Sequence, residues 1–283
     1  MIIMKIIDVI NQISEGAQAT QIDRDHTVDK VIIGDEFQEV TGIVTTFMAT
    51  IDVIHQTIKK NANLIITHEP TWFNGRDDHH WLENDPVYKQ KRQLIENHNL
   101  VIWRFHDYMH AAHEDLIYKG FNEVMNWESY QLKGDSQSKN PLERANICYA
   151  IPETTIDDLL TVIKEKLNME VVRYIGSPQA SAKRVGLLLG GSSLGLGDEK
   201  NPMKLVNSQN LDTVICGDIT EWTLSAYMRD AYMMGMNKTM IILGHEKSEE
   251  VGMSNIVPWI QSLISDVPVH FVEADEPFDY FYQ

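Results

Sequence analysis

Three pairs of side chains in this sequence have the types and the spacing of metal ligands, and each pair follows an apolar run that is typical of a buried strand. The six residues are His68, Glu69, His106, His110, His245 and Glu249. A four-residue spacing places two side chains on one face of a helix, so the second and third pairs share a face if the chain turns helical after each strand. Ligands bind at the carboxyl ends of strands in open α/β sheets, and we therefore predict a metal site from these residues.

The types of donor atom limit which metal ions could bind. Imidazole and carboxylate groups suit Zn²⁺, Fe²⁺ or Mn²⁺, and several histidines with bridging carboxylates can hold two ions about 3.5–4 Å apart, as two-metal hydrolases do. Cys148 and Cys216 lie far apart within apolar runs, so a thiolate site is not expected. The chain has 11 histidines, and a purely structural role is the alternative for any single pair. The shared position at strand ends favours the metal.

Other polar segments are less strongly indicated as functional sites. His113 is predicted to be exposed or to lie outside the ligand shell, and His79 with His80 to lie on a loop surface, where a lid role is the alternative. The segment GGSSLGLGD, residues 190–198, matches neither common phosphate-binding motif. It is interpreted as a tight turn between a strand and a helix.

The elements that must position these residues alternate along the chain. Apolar strand-like runs are followed by segments with helical spacing in both halves, which predicts an α/β fold with parallel or mixed sheets flanked by helices. The polar stretch QLKGDSQSKNPLER, residues 131–144, separates the halves and is predicted to be a connection.

Composition narrows the class of protein. The chain has 283 residues, of which 43% are hydrophobic, enough for one large or two ordinary domains. Its 41 acidic residues against 24 Lys and Arg give a net charge of −17, which argues against nucleic-acid binding through a basic face. No apolar run approaches the length of a membrane span. We expect a cytoplasmic protein without membrane contact.

The three motifs resemble those of the NIF-three-like dinuclear-metal proteins, a family whose members are often called GTP cyclohydrolase 1 type 2 homologues. The family pattern is a strand ending in S/T-H-H-P, then H-x3-D, then G-H-x3-E near the C-terminus. The matching segments here are THEP at 67–70, His106 with His110, and GHEKSE at 244–249. They occur in the family's order and roughly its spacing, and the resemblance covers nearly the whole chain.

Several positions depart from the family pattern. Glu69 stands where the family has a second histidine, and His110 stands where it has an aspartate. A carboxylate and an imidazole have thus changed places, so the combined set of ligand types is kept. Met48 replaces a usual aspartate, and Glu221-Trp222 replaces a pair of histidines. These changes indicate a divergent subgroup.

The resemblance implies two α/β domains assembled as a toroidal homohexamer, a trimer of dimers, with metal sites facing a central cavity. It also implies a discontinuous first domain, because the strand end at His245 must return to His68 and His106. We therefore predict a metal-binding domain of residues 1–127 with 244–283, and a second domain of residues 128–243.

The resemblance further implies a dinuclear site with two divalent ions, in which Glu249 is the catalytic residue and the bridging ligand. The expected activity is that of a metal-dependent hydrolase that acts on a small anionic substrate, a nucleotide or a phosphoester, as the cyclohydrolase name suggests. The alternative is a non-enzymatic metal-binding protein that serves as a regulatory scaffold.

Overall fold

The computed structural model describes residues 4–20, 22–23 and 25–281. These ranges leave out residues 1–3, 21, 24, 282 and 283. All of these fall in the predicted first domain. The chain divides into two compact units, one made of Met1–Gly120 with Gly252–Gln283 and the other of Phe121–Val251. The boundaries predicted from the sequence lie after residues 127 and 243.

Within the described residues the chain forms eleven strands. They are β1 (Val31–Ile33), β2 (Ile43–Thr46), β3 (Leu64–Thr67), β4 (Val101–Arg104), β5 (Gln131–Leu132), β6 (Cys148–Thr155), β7 (Arg173–Ile175), β8 (Ser181–Leu188), β9 (Thr213–Cys216), β10 (Thr239–Ile242) and β11 (Val269–Phe271).

The described residues also form ten α-helices, the first of which precedes β1. They are α1 (Ile6–Gly16), α2 (Ile51–Lys59), α3 (Pro86–Asn97), α4 (Asp107–His110), α5 (Leu116–Met125), α6 (Pro141–Arg144), α7 (Ile156–Lys166), α8 (Asn201–Ser208), α9 (Ala226–Met233) and α10 (His245–Leu263). Short 3₁₀ helices cover His80–Leu82, Glu128–Tyr130 and Gly190–Leu194, and a π-helical turn covers Glu221–Ser225.

The sheet of the first unit has the strand order β1-β4-β3-β2-β11. The last four strands in this order are parallel to one another, and β1 is antiparallel to β4. Every residue of β2, β3 and β4 is buried, as expected for parallel strands covered on both faces. The register pairs Thr46 with Thr67 and Thr67 with Arg104, so these three strands end at the same level.

The sheet of the second unit has the order β5-β6-β8-β9-β10-β7. Its centre, β8, β9 and β10, is parallel, and the remaining pairings are antiparallel. Both sheets are therefore mixed and accompanied by helices, and the predicted α/β fold class is confirmed.

Local sequence explains where several helices begin. The Thr50 side chain accepts a hydrogen bond from the amide of Val53 at 3.2 Å and caps α2. Asp85 caps α3 in the same way, and Pro86 occupies its first position, where a missing N–H has no cost. These caps set the direction of the two helices that connect β2 to β3 and β3 to β4.

Residues 131–144, predicted as a connection, contain more regular structure than expected. Gln131 and Leu132 pair with β6 as an edge strand, and Asn140 caps the one-turn helix α6 through its side-chain oxygen. Both elements are shorter than the windows in which hydrophobic periodicity can be recognised, which explains why the sequence pattern missed them.

No helix in the described part of the chain is both long enough and apolar enough to cross a membrane.

Candidate metal site

His68 is placed by the end of β3. Its backbone amide continues the ladder to β2 by donating to the carbonyl oxygen of Phe47 at 3.0 Å, and the amide of Glu69 donates to the same oxygen at 2.8 Å. The His68 side chain is fully buried and Glu69 is half-buried. The turn that carries both residues is therefore fixed by main-chain hydrogen bonds to the neighbouring strand.

His106 and His110 are placed by the end of β4 and by the one-turn helix α4 that follows it. Asp29 holds this turn: its Oδ1 accepts from the amides of His106 (2.9 Å) and Asp107 (2.8 Å), and its Oδ2 accepts from Tyr108 (3.0 Å). Burial raises the pKa of the Asp29 carboxyl, although these three amide donors oppose the rise. Because the chain turns helical at this point, the four-residue spacing brings the two imidazoles together.

The three histidines of the first unit converge. The ring centroids of His68 and His106 are 4.5 Å apart, those of His68 and His110 5.1 Å, and those of His106 and His110 4.8 Å. Each ring can contribute a ligand nitrogen such that all three nitrogens lie within 4.8 Å of one another. Three imidazoles at this separation are a donor set for one divalent ion.

Hydrogen bonds decide which nitrogen of each ring would bind an ion. Nδ1 of His106 lies 2.9 Å from a carboxylate oxygen of Asp107, and Nδ1 of His110 lies 2.9 Å from one of Asp115. Nδ1 of His68 lies 3.4 Å from the carbonyl oxygen of Phe105. Metal-binding histidines commonly donate their second ring N–H to such groups, which makes Nε2 the ligand nitrogen in all three rings.

The carboxylates beside the rings are anchored in turn. Asp107 Oδ2 accepts from the Thr27 hydroxyl at 2.9 Å and from the amide of Val28 at 3.0 Å. The hydrogen bond to His106 is the main reason why the pKa of Asp107 lies well below its ordinary value. Asp115 accepts from the amide of Ile117 at 3.0 Å. The Nδ1 partners thus orient the imidazoles without the help of a bound ion.

Glu69 lies beside this cluster. Its Oε1 is 3.7 Å from Nε2 of His106, and its Oε2 is 3.1 Å from Nη2 of Arg104. A set of three imidazoles with an adjacent carboxylate fits Zn²⁺, Fe²⁺ or Mn²⁺. Thiolates are not involved, since both cysteines are buried in the second unit and burial raises the pKa of Cys148 to about 11.

His245 and Glu249 belong to the second unit, at the beginning of α10. Nε2 of His245 lies 3.1 Å from Oε2 of Glu249, and its Nδ1 lies 2.8 Å from Oδ2 of Asp218. This is the same pattern of an imidazole oriented through Nδ1 by a carboxylate. That these two residues complete a two-ion site stays a prediction.

Gly190 packs directly against Glu249. It has φ +52°, and a Cβ placed on it would lie 1.8 Å from Oε1 of Glu249. Its amide donates to the hydroxyl of Ser248 at 2.9 Å. The GGSSLGLGD segment therefore does form a tight turn after β8, and its first glycine leaves room for the carboxylate of Glu249.

Several residues that support the site were not identified from the sequence. Asp29 stands in a polar stretch without a recognisable pattern, and Asp218 follows a strand as one acid among many. Arg104 does carry a signal, because a charged residue at the end of the apolar run LVIWRF needs a buried partner. Of the remaining histidines, His113 is exposed.

The loop after the THEP motif is ordered by a buried lysine. The Lys91 ammonium donates to the carbonyl oxygen of Thr71 at 3.0 Å and lies 5.7 Å from the ring centroid of Trp72 and 5.2 Å from that of Phe73. Burial lowers the pKa of Lys91 to about 8, and the charge of Asp77 partly opposes this. Further along the loop, the ring of His79 stacks on that of His80 at 5.2 Å.

Replacing Lys91 with methionine is expected to change how stability depends on pH. Below pH 8 the lysine is charged in both the folded and the unfolded protein, and the folded state carries the cost of burying the charge. Between pH 8 and 10.5 the folded protein loses this proton first, so the unfolded state binds more protons and the wild type gains stability over Lys91→Met as pH rises. The gain is at most about 3 kcal/mol.

Urea unfolding of both proteins at pH 7 and pH 10 measures this gain. Lys89→Met, on the exposed part of the same helix, controls for general effects of alkaline pH. A difference between wild type and Lys91→Met that stays constant across these pH values would contradict the prediction.

The sequence and the fold match known proteins. A sequence model of the Duf34/NIF3 (NGG1p interacting factor 3) family matches residues 1–277. A Clostridium perfringens protein named GTP cyclohydrolase 1 type 2 homolog is 24% identical over 284 aligned positions, covering 98% of this chain and 100% of that protein. A Clostridium acetobutylicum protein of the same name is 25% identical over 252 positions, covering 87% of this chain and 85% of its own length.

Two solved structures share the fold. A Bacillus cereus protein related to NIF3 superposes with a TM-score of 0.74 at 13% identity, covering 99% of this chain and 100% of that one. A hypothetical protein from Staphylococcus aureus superposes with a TM-score of 0.71 at 20% identity, covering 98% and 99%. At these identities the likeness shows the fold alone.

Proposed function

The chain belongs to the Duf34/NIF3 family, and from this membership and the geometry of its histidines we propose that it is a metal-binding protein that acts as a metal-dependent hydrolase. The observation that carries the proposal is the convergence of His68, His106 and His110. Their ligand nitrogens lie within 4.8 Å of one another, and each ring has an oxygen partner on Nδ1. A cluster of core histidines would not need this shared orientation.

The side chains present have defined tasks in such a reaction. When bound, a divalent ion supplies a Lewis acid and makes water a nucleophile at neutral pH. The three imidazoles would hold the ion, and Asp107 and Asp115 would keep His106 and His110 in the tautomer that binds it. Oε1 of Glu69, 3.7 Å from Nε2 of His106, would add a carboxylate oxygen to this donor set.

A small anionic substrate with a phosphate group, such as a nucleotide or a phosphoester, fits this chemistry. The Clostridium relatives are named GTP cyclohydrolase 1 type 2 homologs, which makes a purine nucleotide the first substrate to try. The chain carries a net charge of −17, so an anionic substrate would depend on the bound cation for its attraction to the site.

The finer parts of the proposal follow from the family resemblance. A second ion would draw on His245 and Glu249, with Glu249 as the bridging and catalytic carboxylate. A homohexamer built as a trimer of dimers and a cytoplasmic location are proposed with it. Native mass spectrometry, which counts both the subunits and the ions in each subunit, tests the assembly and the number of ions together.

The purified protein is expected to contain a divalent ion and to hydrolyse at least one member of a panel of nucleotides and phosphoesters. Chelation should abolish turnover, and adding Zn²⁺, Fe²⁺ or Mn²⁺ should restore it, because the ion generates the nucleophile. Elemental analysis and product assays before and after chelation provide the measurement. A metal-loaded protein that turns over nothing in the panel would favour the scaffold role, and a protein without metal would overturn the proposal.

A further inference from the structure

Arg104 is a buried cation at the centre of the ligand turn. Its side chain is only 4% exposed. Nε donates to the carbonyl oxygen of His68 at 3.0 Å, Nη1 to that of Gly75 at 2.7 Å, and Nη2 to Oε2 of Glu69 at 3.1 Å. One rigid guanidinium therefore holds the main chain at a predicted ligand, the side chain of another, and the loop that follows them.

The sheet explains why this arginine reaches so many partners. Arg104 is the last residue of β4 and pairs in register with Thr67, the last residue of β3, so its side chain starts level with the THEP turn. Asp77 supplies a second carboxylate, with Oδ2 3.6 Å from Nη1. Oδ1 of Asp77 in turn accepts the amides of Thr71 and Trp72 at 2.7 and 2.8 Å. The ligand turn and the loop are thus joined through one cation.

The two oxygens of Glu69 face different groups. Oε2 is bound to Arg104, while Oε1 lies 3.7 Å from Nε2 of His106, the nitrogen that would bind the ion. Nε and Nη1 of Arg104 are held by the carbonyl oxygens of His68 and Gly75, so Nη2 meets Oε2 from a fixed position that a flexible ammonium would not keep. With Oε2 engaged, Oε1 is the oxygen directed at the histidine cluster.

We propose that Arg104 is a positioning residue that makes Glu69 a one-oxygen ligand through Oε1 and prevents it from bridging two ions. The inference rests on the proposed metal-binding function. It assigns the departure at position 69 a specific consequence: the carboxylate that replaces a histidine also donates a single atom, as the histidine would. The guanidinium does not contact the ion, and the effect on metal affinity is assigned to its hydrogen bond with Glu69.

The test compares metal affinities of four proteins: wild type, Arg104→Lys, Glu69→Gln and the double variant. Lysine keeps the positive charge, so its repulsion of the ion is retained while the planar set of three donors is lost. Competition with a chromophoric chelator for Zn²⁺ should show about a tenfold or greater loss of affinity for Arg104→Lys, within the range for losing an outer partner of a ligand. In the Glu69→Gln background the same change should have little further effect.

Three further measurements make the result decisive. The absorption spectrum of the Co²⁺-loaded protein should change in Arg104→Lys, which a purely structural role would not cause. Arg92→Lys, in an exposed pair with Glu96, is the matched control and should leave the affinity unchanged. If Arg104→Lys does not fold, Glu69→Gln with Arg104→Gln removes both charges together and should bind Zn²⁺ as tightly as Glu69→Gln alone.

The possible failures can be told apart. A wild-type protein that binds Zn²⁺ while Arg104→Lys binds it equally well, or while the two single losses add in the double variant, overturns the inference and leaves the proposed function standing. A wild-type protein that binds no ion overturns the proposed function and the inference with it.

Discussion

Replacing His110 with alanine is expected to reduce the affinity for a divalent ion more than about 100-fold, because a direct ligand is removed. The loss of a group that only orients a ligand typically costs about 10–100-fold. The ring of His110 lies 4.8 Å from that of His106 and 5.1 Å from that of His68, so its loss leaves two of the three imidazoles of the cluster. Elemental analysis after gel filtration and a chelator competition measure the loss.

The control for this change is His55→Ala. His55 is an exposed histidine on α2, and its removal should leave the metal content unchanged. Thermal unfolding in the presence of chelator shows whether the apo form of the His110 variant is intact. If Glu69→Gln and His110→Ala both retain the metal content of the wild type, the histidine cluster is not a metal site.

Gly190→Ala is expected to destabilise the protein strongly, for two separate reasons. Residue 190 has φ +52°, a conformation that costs a non-glycine residue about 1–3 kcal/mol. The new methyl group would also meet the carboxylate of Glu249 at 1.8 Å, and overpacking at a buried position typically costs about 1–3 kcal/mol more. Glu249 is 4% exposed and bound to His245, so it cannot move aside freely.

The neighbouring glycine provides the control for this effect. Gly191 has no positive φ, and the nearest atom to an added Cβ is Cε1 of His245 at 4.0 Å, an ordinary contact distance. Gly191→Ala should therefore unfold at nearly the wild-type temperature in a calorimetric scan, while Gly190→Ala unfolds well below it. Equal midpoints for the two variants would show that Glu249 yields to the methyl group at little cost.

The position of the histidines could be predicted because it depends on short-range patterns. Apolar runs such as Leu64–Thr67 identify buried strands, and strands in a parallel arrangement bring their ends to one edge of the sheet. The order of the three motifs along the chain indicated the family. Each motif is only a few residues long and their order can be read directly along the chain, so neither kind of information required knowledge of the register.

The support of the histidines could not be predicted in the same way. The pairing of Arg104 with Glu69 depends on the register between β3 and β4, which is set by tertiary packing. Asp29 caps a helix that begins far away in sequence, so no local capping pattern shows it. Short elements such as β5 and α6 fall below the length at which periodicity is informative.

The parallel pairing of β3 with β4 has a consequence for how the protein reaches its native state. Parallel neighbours need a crossover, here through α3, so His68 and His106 meet only after a non-local contact has formed. Such contacts form late relative to local helices and turns. The unfolded chain therefore offers no assembled three-histidine cluster, and an ion that binds only the folded form at 100 times its dissociation constant adds about 2.7 kcal/mol of stability. Uptake of the ion during refolding would therefore report when β3 and β4 have paired.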